Sequence, residues 1–296
     1  MLLQTSLAHQ LRNIYTVAAI HDRGKGISSQ RELADGYRQF ISRSYRRSPP
    51  LLNSCAPLSA RVITDPSQCE TLSKVFLENG PSLLDDLDQL TAISLNPVDT
   101  DQSRKSSQIL SALNLLRGFL TDYETIAELL ITDIVILPSS IANGGSTSDG
   151  LGIVWANPER NWRTLDSVEF IVHELTHQCM FVDEICERHY NYKLLLKKSN
   201  WAQSAILRKL RPVDKVLHSI VVATELILFR ELTGHPATAR AHPPTSKLID
   251  QSRAAIKSLR DVIDRCPDLL TARALDILEN CDNLITKTSQ SLELET

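Results

Sequence analysis

The stretch SVEFIVHELTHQCMF, residues 167–181, places two histidines four positions apart within a run of apolar side chains. Apolar residues recur here every three or four positions, which predicts an amphipathic helix with one face in a core. At this spacing the imidazoles of His173 and His177 project from one side of the helix and can share one metal ion. Glu174 follows His173 directly, within reach of a ligand on the same ion. The pattern therefore predicts a metal-binding helix.

The residues ahead of this helix predict how it begins and what it packs against. We expect Asp166 to cap the helix, with Glu169 as its reciprocal partner. Residues 131–137 are β-branched and predict a strand, and residues 151–158 predict a second one, with a glycine-rich turn over 141–150 between them. The two strands are expected to form a small hairpin immediately before the motif helix.

Most of the remaining sequence is typical of helices. The apolar spacing predicts helices over residues 1–21, 29–45, 67–95, 103–130, 212–232 (ended by Gly234), 246–265 and 268–287, with a connector over 191–211. We therefore expect a mainly α fold with a small β-hairpin or sheet beside the motif helix, an α+β class with a zincin-like local arrangement. Residues 1–125 would form a helical amino-terminal region, and residues 126–296 the metal-binding catalytic region with the last helices. One continuous domain is the alternative.

Composition and charge narrow the classes of partner. The chain has 296 residues and a net charge of −3, which gives no reason to expect nucleic acid or an anionic membrane. Its most apolar run, residues 219–229, is short and contains Glu225, so we expect a buried helix rather than a membrane span. The amino terminus shows no secretory signal, and the six cysteines form no CxxC pair. These features predict a cytoplasmic protein with reduced thiols.

A catalytic metal needs at least one further protein ligand, with positions left open for substrate or water. His218 and Glu225 lie seven residues apart on one face of the helix predicted after Pro212, in the least polar segment of the chain. A buried polar side chain there needs a partner, which a metal would supply. An ordinary hydrogen-bonded core residue is the competing interpretation for either one, and the spacing leaves both candidates open. His189 is expected at the surface or at a helix end.

Four segments together resemble a known family of enzymes. They are GGSTSDGLGIVWANP (144–158), DSVEFIVHELTHQ (166–178), NWAQSAILRKLRP (200–212) and VDKVLHSIVVATELI (213–227). This set resembles the bacterial peptide β-hydroxylases of the α-ketoglutarate-dependent HExxH type, which are associated with natural-product biosynthesis from ribosomally made peptides. The resemblance covers about residues 130–235, and the first hundred residues contribute nothing to it.

The resemblance implies an Fe(II) ion held by His173, His177 and His218. The other metal positions would take α-ketoglutarate in bidentate fashion and O2. Most oxygenases of this chemistry use two histidines and one carboxylate, so a glutamate ligand stays open. The far carboxylate of α-ketoglutarate needs a cationic clamp, for which Arg211 is the candidate and Arg230 a weaker one.

Three functions compete. The first is an Fe(II)- and α-ketoglutarate-dependent oxygenase that hydroxylates an unactivated carbon, the β-carbon by resemblance, in a peptide or a carrier-bound amino acid. The second is a zinc metallopeptidase in which Glu174 is the general base and Glu225 the third ligand. The third is a non-catalytic binding module. Under either chemistry a peptide could pair with a strand edge, for which residues 131–137 or 151–156 are the candidates.

Overall fold

The computed structural model describes residues 6–20, 26–45, 59–77, 101–119, 121–140, 142–234 and 240–294. They belong to two compact units, one comprising Ser6–Cys186 and the other beginning at Glu187. The described chain is mainly helical with a small sheet, which confirms the expected class at that level. The division into domains after residue 125 stays a prediction.

The first unit contains six helices among its described residues. They are α1 (Leu7–Ala19), α2 (Gln30–Ser44), α3 (Pro66–Leu77), α4 (Gln102–Phe119), α5 (Thr121–Leu130) and α6 (Thr164–Cys186). The predictions over 1–21 and 29–45 are confirmed where the structure describes them. The single helix predicted over 103–130 consists of two helices, α4 and α5. Of the helix predicted over 67–95, residues 78–95 lie outside the described residues.

A four-stranded sheet lies in the same unit. Its strands are β1 (Arg61–Ile63), β2 (Asp133–Ile136), β3 (Gly144–Ser146) and β4 (Ile153–Ala156), in the order β1-β2-β4-β3. β1, β2 and β4 run parallel, and β3 runs antiparallel to β4. β2 and β4 confirm the two predicted strands, but the hairpin between them is wrong because they pair in parallel. The actual hairpin joins β3 and β4, and β3 lies in the segment predicted as a turn.

The burial of the sheet explains the apolar character of its central strands. Every residue of β2 and β4 is buried. Strands that are covered on both faces have continuous apolar sequences rather than alternating ones. One face packs its side chains Val135, Ile153 and Trp155 against Ile63 of β1 and Cys69 of α3.

Helix α6 is held by hydrogen bonds at its start, in its middle and near its end. It begins at Thr164, three residues earlier than a cap at Asp166 would allow. The carboxylate of Asp166 accepts a hydrogen bond from the backbone N–H of Arg163 (2.7 Å), so the prediction of Asp166 as the cap with Glu169 as its partner is wrong. Asp166 is itself the first-turn carboxylate that reaches back. The Gln178 amide accepts from the Gly152 N–H and donates to a backbone carbonyl of β4. Asp183 accepts from two side chains of α1.

The second unit is a small hairpin with helices. Its elements are α7 (Tyr192–Leu195), β5 (Ala202–Gln203), β6 (Leu210–Arg211), α8 (Val213–Thr233), α9 (Thr245–Arg265) and α10 (Ala272–Leu294). The three long helices confirm the predictions for this part of the chain. Gly234 ends α8 with φ of +60°, the left-handed conformation that glycine adopts without strain. Among the described residues, no helix is long and apolar enough to cross a membrane.

Candidate metal site

The motif helix is buried nearly throughout its central part. From Asp166 to Asp183, a stretch that the structure describes in full, every residue is buried except His173 and His177. Both histidines are partly exposed, and His173 has 17% of its side-chain surface accessible. The two imidazoles are therefore the accessible side chains in this packed stretch of α6. Placing polar rings at this one accessible strip is what an open metal site requires.

The two imidazole rings lie close together. Their centroids are 5.0 Å apart, with an interplanar angle of 59°. A metal ion binds each imidazole nitrogen at about 2.0–2.1 Å, so rings at this separation suit two ligands of one ion. His177 also stacks on Phe181, with centroids 6.1 Å apart and planes 17° from parallel. The contact with Phe181 restricts the orientation of the His177 ring on the side that faces away from His173.

Glu174 is buried next to this pair. Its Oε1 lies 3.8 Å from Nε2 of His173, and its Oε2 accepts a 2.7 Å hydrogen bond from the hydroxyl of Ser146. Burial raises the pKa of Glu174 to about 8, an effect that the Ser146 hydrogen bond partly opposes. In the metal-free protein the carboxyl therefore holds its proton at neutral pH. A cation bound by the neighbouring histidines would favour the ionised form.

Ser146 reaches Glu174 because β3 lies directly against α6. A Cβ atom added at Gly144 would come within 2.2 Å of the Phe170 ring, and one added at Gly145 would come within 2.7 Å of Nε1 of Trp155. Only glycine leaves room for so close an approach of backbone to side chain. Ser146 was not predicted as a site residue, and the glycine pair ahead of it was the signal in the sequence for a close contact.

His218 lies in the second unit, on α8, and is buried. Burial lowers the pKa of His218 well below its usual range, and the charges of Lys215, His189 and Arg211 lower it further. The imidazole is therefore neutral at neutral pH, which is the form that binds metals. Arg211 is close enough to act on His218 through its charge. His189 is buried as well, three residues after the end of α6, so the alternative that placed it at the surface is wrong.

Glu225, the alternative third ligand, and Arg230, the weaker candidate for the carboxylate clamp, are also buried in the second unit. Glu225 is fully buried on α8. The guanidinium of Arg230 donates to the carbonyl of Pro243 (2.8 Å) and to the hydroxyl of Thr245 (3.3 Å), where α9 begins. These bonds connect Arg230 of α8 to the residues at the start of α9, which is a structural role.

The structure brings His173, His177 and Glu174 together in the first unit and places His218, Glu225 and Arg211 in the second. Across the residues that the structure describes, no group of three or more His, Cys, Asp or Glu side chains is placed to hold a metal ion. The third ligand stays a prediction. No protein-family model matches the sequence, and a comparison with curated proteins finds no match.

Proposed function

We propose that this protein is an Fe(II)- and α-ketoglutarate-dependent oxygenase that hydroxylates an unactivated carbon, the β-carbon, of a residue in a peptide or of a carrier-bound amino acid. The observation that carries the proposal is the pair His173 and His177, the two accessible side chains on the buried stretch of α6, with rings 5.0 Å apart. The choice of iron over zinc comes from the resemblance of residues 130–235 to peptide β-hydroxylases.

The donor set fits a metal ion in its chemistry. His173 and His177 would supply two imidazole ligands, and His218 is proposed as the third because it is neutral and buried. Arg211, whose charge acts on His218, would bind the far carboxylate of α-ketoglutarate. When bound, the iron and the 2-oxo acid would supply the oxidising power for insertion of one oxygen atom from O2.

Glu174 would position a neighbouring group rather than transfer a proton in the chemical step. Its Oε2 is occupied by the Ser146 hydroxyl, and its Oε1 is the oxygen nearer to His173. A buried carboxyl held in this way can orient a substrate or an imidazole by one hydrogen bond. Its place beside the histidines is what supports this role.

The position of β3 supports the proposal of a peptide substrate. The strands predicted to offer an edge, over 131–137 and 151–156, are interior in the sheet, because β2 lies between β1 and β4, and β4 lies between β2 and β3. β3 is an outer strand of the described sheet, and its Ser146 contacts Glu174. An extended peptide that added to β3 through main-chain hydrogen bonds would run past the residue next to His173. This proposal replaces the two edges expected from the sequence.

A zinc metallopeptidase is the second candidate, and one observation favours it. Glu174 is buried, lies between the two histidines in the sequence, and has its Oε1 3.8 Å from Nε2 of His173. This is where a general base would lie, and a bound Zn²⁺ would favour the ionised form of its carboxyl. The outer antiparallel strand beside the motif helix suits a peptidase equally well.

The substitution Glu174→Gln separates the two chemistries. In an oxygenase no base is required in the oxidation, so we expect the variant to keep O2- and α-ketoglutarate-dependent activity, lowered about 10–100-fold. In a hydrolase the same change removes the base and abolishes peptide cleavage. Mass spectrometry of a peptide library incubated with and without O2 distinguishes a gain of one oxygen from a cleaved peptide. The matched control is Glu184→Gln, a half-buried residue on the same helix.

A further inference from the structure

The hairpin of β5 and β6 carries apolar and cationic side chains together at its end. Four consecutive residues there, which we call the hairpin tip, are exposed: Leu207, Arg208, Lys209 and Leu210. Leu207 is 46% accessible and Leu210 is 64% accessible. Single exposed leucines are common on protein surfaces, but two that flank two cations in one short loop form the kind of patch that marks an interaction site.

The hairpin tip is carried by a fixed part of the fold. The backbone N–H of Gln203 donates to the hydroxyl of Ser258 on α9 (3.0 Å), and the N–H of Ala205 donates to the hydroxyl of Ser219 on α8 (2.9 Å). These bonds anchor the strand that leads into the tip to two long helices of the same unit. The two leucines are therefore held in solvent by the fold, away from the core of that unit.

Arg208 is held in a conformation that arginine disfavours. Its φ is +56°, in the left-handed region, and its backbone N–H donates to the carbonyl of Ser204 (3.0 Å). Glycine adopts this conformation without strain, whereas a Cβ atom makes it unfavourable. Folded proteins keep such strain mostly at binding and active sites. The presence of arginine here indicates a use for its guanidinium at the tip.

The segment around the tip is strongly basic. Residues 188–213 contain seven lysines and arginines and no aspartate or glutamate, although the whole chain has a net charge of −3. Across the residues that the structure describes, Lys197, Arg208 and Lys209 are all exposed and take part in no ion pair. Exposed charges more than about 8 Å apart are largely screened at physiological salt, so this local excess of positive charge decides which partner is attracted.

The leucines restrict the kind of anionic partner. A nucleic acid would bind the cations through its phosphates, but those phosphates offer no apolar contact to a leucine. A peptide that added to β6 would find little edge, because β6 has two residues and is followed by Pro212, which has no N–H. A bilayer with anionic headgroups suits both kinds of side chain, since its phosphates attract cations and the acyl chains just beneath them accept protruding apolar groups.

We propose that the hairpin tip binds the surface of an anionic lipid bilayer. Leu207 and Leu210 enter the boundary between headgroups and acyl chains, and Arg208 and Lys209 contact the headgroup phosphates. This proposal replaces the expectation drawn from the net charge of the whole chain. The tip includes none of the proposed metal ligands, so the proposal does not depend on the function proposed above.

Co-sedimentation of the full chain with lipid vesicles tests the proposal. One set of vesicles is pure phosphatidylcholine, and the other contains phosphatidylcholine and phosphatidylglycerol in equal parts. We expect saturable binding to the anionic vesicles, about tenfold or more tighter than to the neutral ones, that weakens as the salt concentration rises. Absence of binding, or equal binding to both sets, would overturn the proposal. So would tighter binding to a single-stranded oligonucleotide than to the anionic vesicles.

Two double variants separate the apolar and the cationic contributions. Leu207→Ser with Leu210→Ser removes the apolar contacts. Arg208→Gly with Lys209→Gln removes the charges and places at position 208 the residue best suited to its φ. We expect each double variant to bind anionic vesicles about tenfold or more weakly, with folding verified by thermal unfolding. Native affinity in either one would overturn the proposal.

Matched controls and a local probe assign the binding to the tip. Leu232→Ser on α8, at a leucine that is 56% exposed, and Arg253→Gln, at an exposed residue of α9, should bind as the native protein does. In Leu210→Trp, the fluorescence added to that of the native protein should shift to the blue with anionic vesicles, because the indole leaves water. An unchanged emission spectrum, or equal loss of binding in the controls, would overturn the tip as the lipid-binding surface.

Discussion

The hydroxyl of Ser146 on β3 donates a 2.7 Å hydrogen bond to the buried carboxyl of Glu174 on α6. This bond links β3, an outer strand of the described sheet, to the residue that follows His173. A group bound along β3 and a metal bound by the two histidines would therefore both act on the same carboxyl. The pH dependence of stability, the metal content, the identity of the third ligand and the affinity for α-ketoglutarate can each be measured separately from the activity.

The buried Glu174 makes the stability of the metal-free protein depend on pH. Its pKa is raised from 4.5 to about 8, so the folded protein holds a proton there that the unfolded chain has lost. The contribution is most favourable below pH 4.5, and stability falls by about 1.4 kcal/mol per pH unit between pH 4.5 and 8. In Glu174→Gln this slope should be absent. Urea unfolding of both proteins at pH 5.5 and 7.5 measures it, with Glu184→Gln as control. Equal pH dependence in the native and Glu174→Gln proteins would contradict the burial of an ionisable group.

Metal binding should require both histidines of α6. Replacing His173 or His177 with alanine removes one of two neighbouring imidazoles, and we expect either variant to lose bound iron after anaerobic reconstitution. Elemental analysis of desalted protein gives the metal content. His242→Ala, a half-buried histidine of the second unit, is the control and should keep the native content. Undiminished iron in either of the first two variants would eliminate this site.

The third ligand distinguishes His218 from Glu225. We expect His218→Ala to lose iron and Glu225→Gln to keep it, because His218 is a neutral imidazole and belongs to the segment that carries the resemblance. Both residues are buried, so thermal unfolding must show that each variant folds. The opposite pattern of metal loss would assign the site to Glu225 and favour the zinc peptidase.

Arg211 should govern the affinity for α-ketoglutarate. Its guanidinium can bind a carboxylate through two parallel hydrogen bonds, which the ammonium of lysine cannot reproduce. We expect Arg211→Lys and Arg211→Ala to weaken α-ketoglutarate binding, about tenfold or more for alanine, with iron content unchanged. Arg230→Lys is the comparison, since Arg230 is bound to Pro243 and Thr245. A larger loss of α-ketoglutarate affinity from Arg230→Lys would exchange the two assignments.

The long helices and the position of His173 and His177 on one side of α6 could be predicted from the sequence, because both depend on short-range periodicity. Their role as metal ligands stays a prediction. Helix α6, helix α8 and the stop at Gly234 follow from apolar spacing and from glycine in the left-handed conformation. The parallel pairing of β2 with β4 could not be predicted in this way, since it depends on contacts between distant segments. β1, three residues long, gave no recognisable signal.

The contact between Ser146 and Glu174 depends on the same long-range packing. The local sequence around Gly144 and Gly145 predicted a turn. In the fold these glycines allow β3 to approach Phe170 and Trp155. The burial of His189 was not predicted, for a related reason. It follows the end of α6 in a polar segment, and its burial comes from the packing of the second unit.

The central claim is tested most directly by the conversion of α-ketoglutarate to succinate. The protein is reconstituted with Fe(II) under anaerobic conditions, supplied with α-ketoglutarate and a peptide library, and then divided between anaerobic and O2-saturated buffer. We predict succinate formation only in the presence of O2, lost in His177→Ala and retained in His242→Ala, with product peptides heavier by one oxygen atom. Peptides cleaved equally with and without O2, with no succinate formed and the cleavage lost in Glu174→Gln, would contradict the oxygenase and establish a hydrolase.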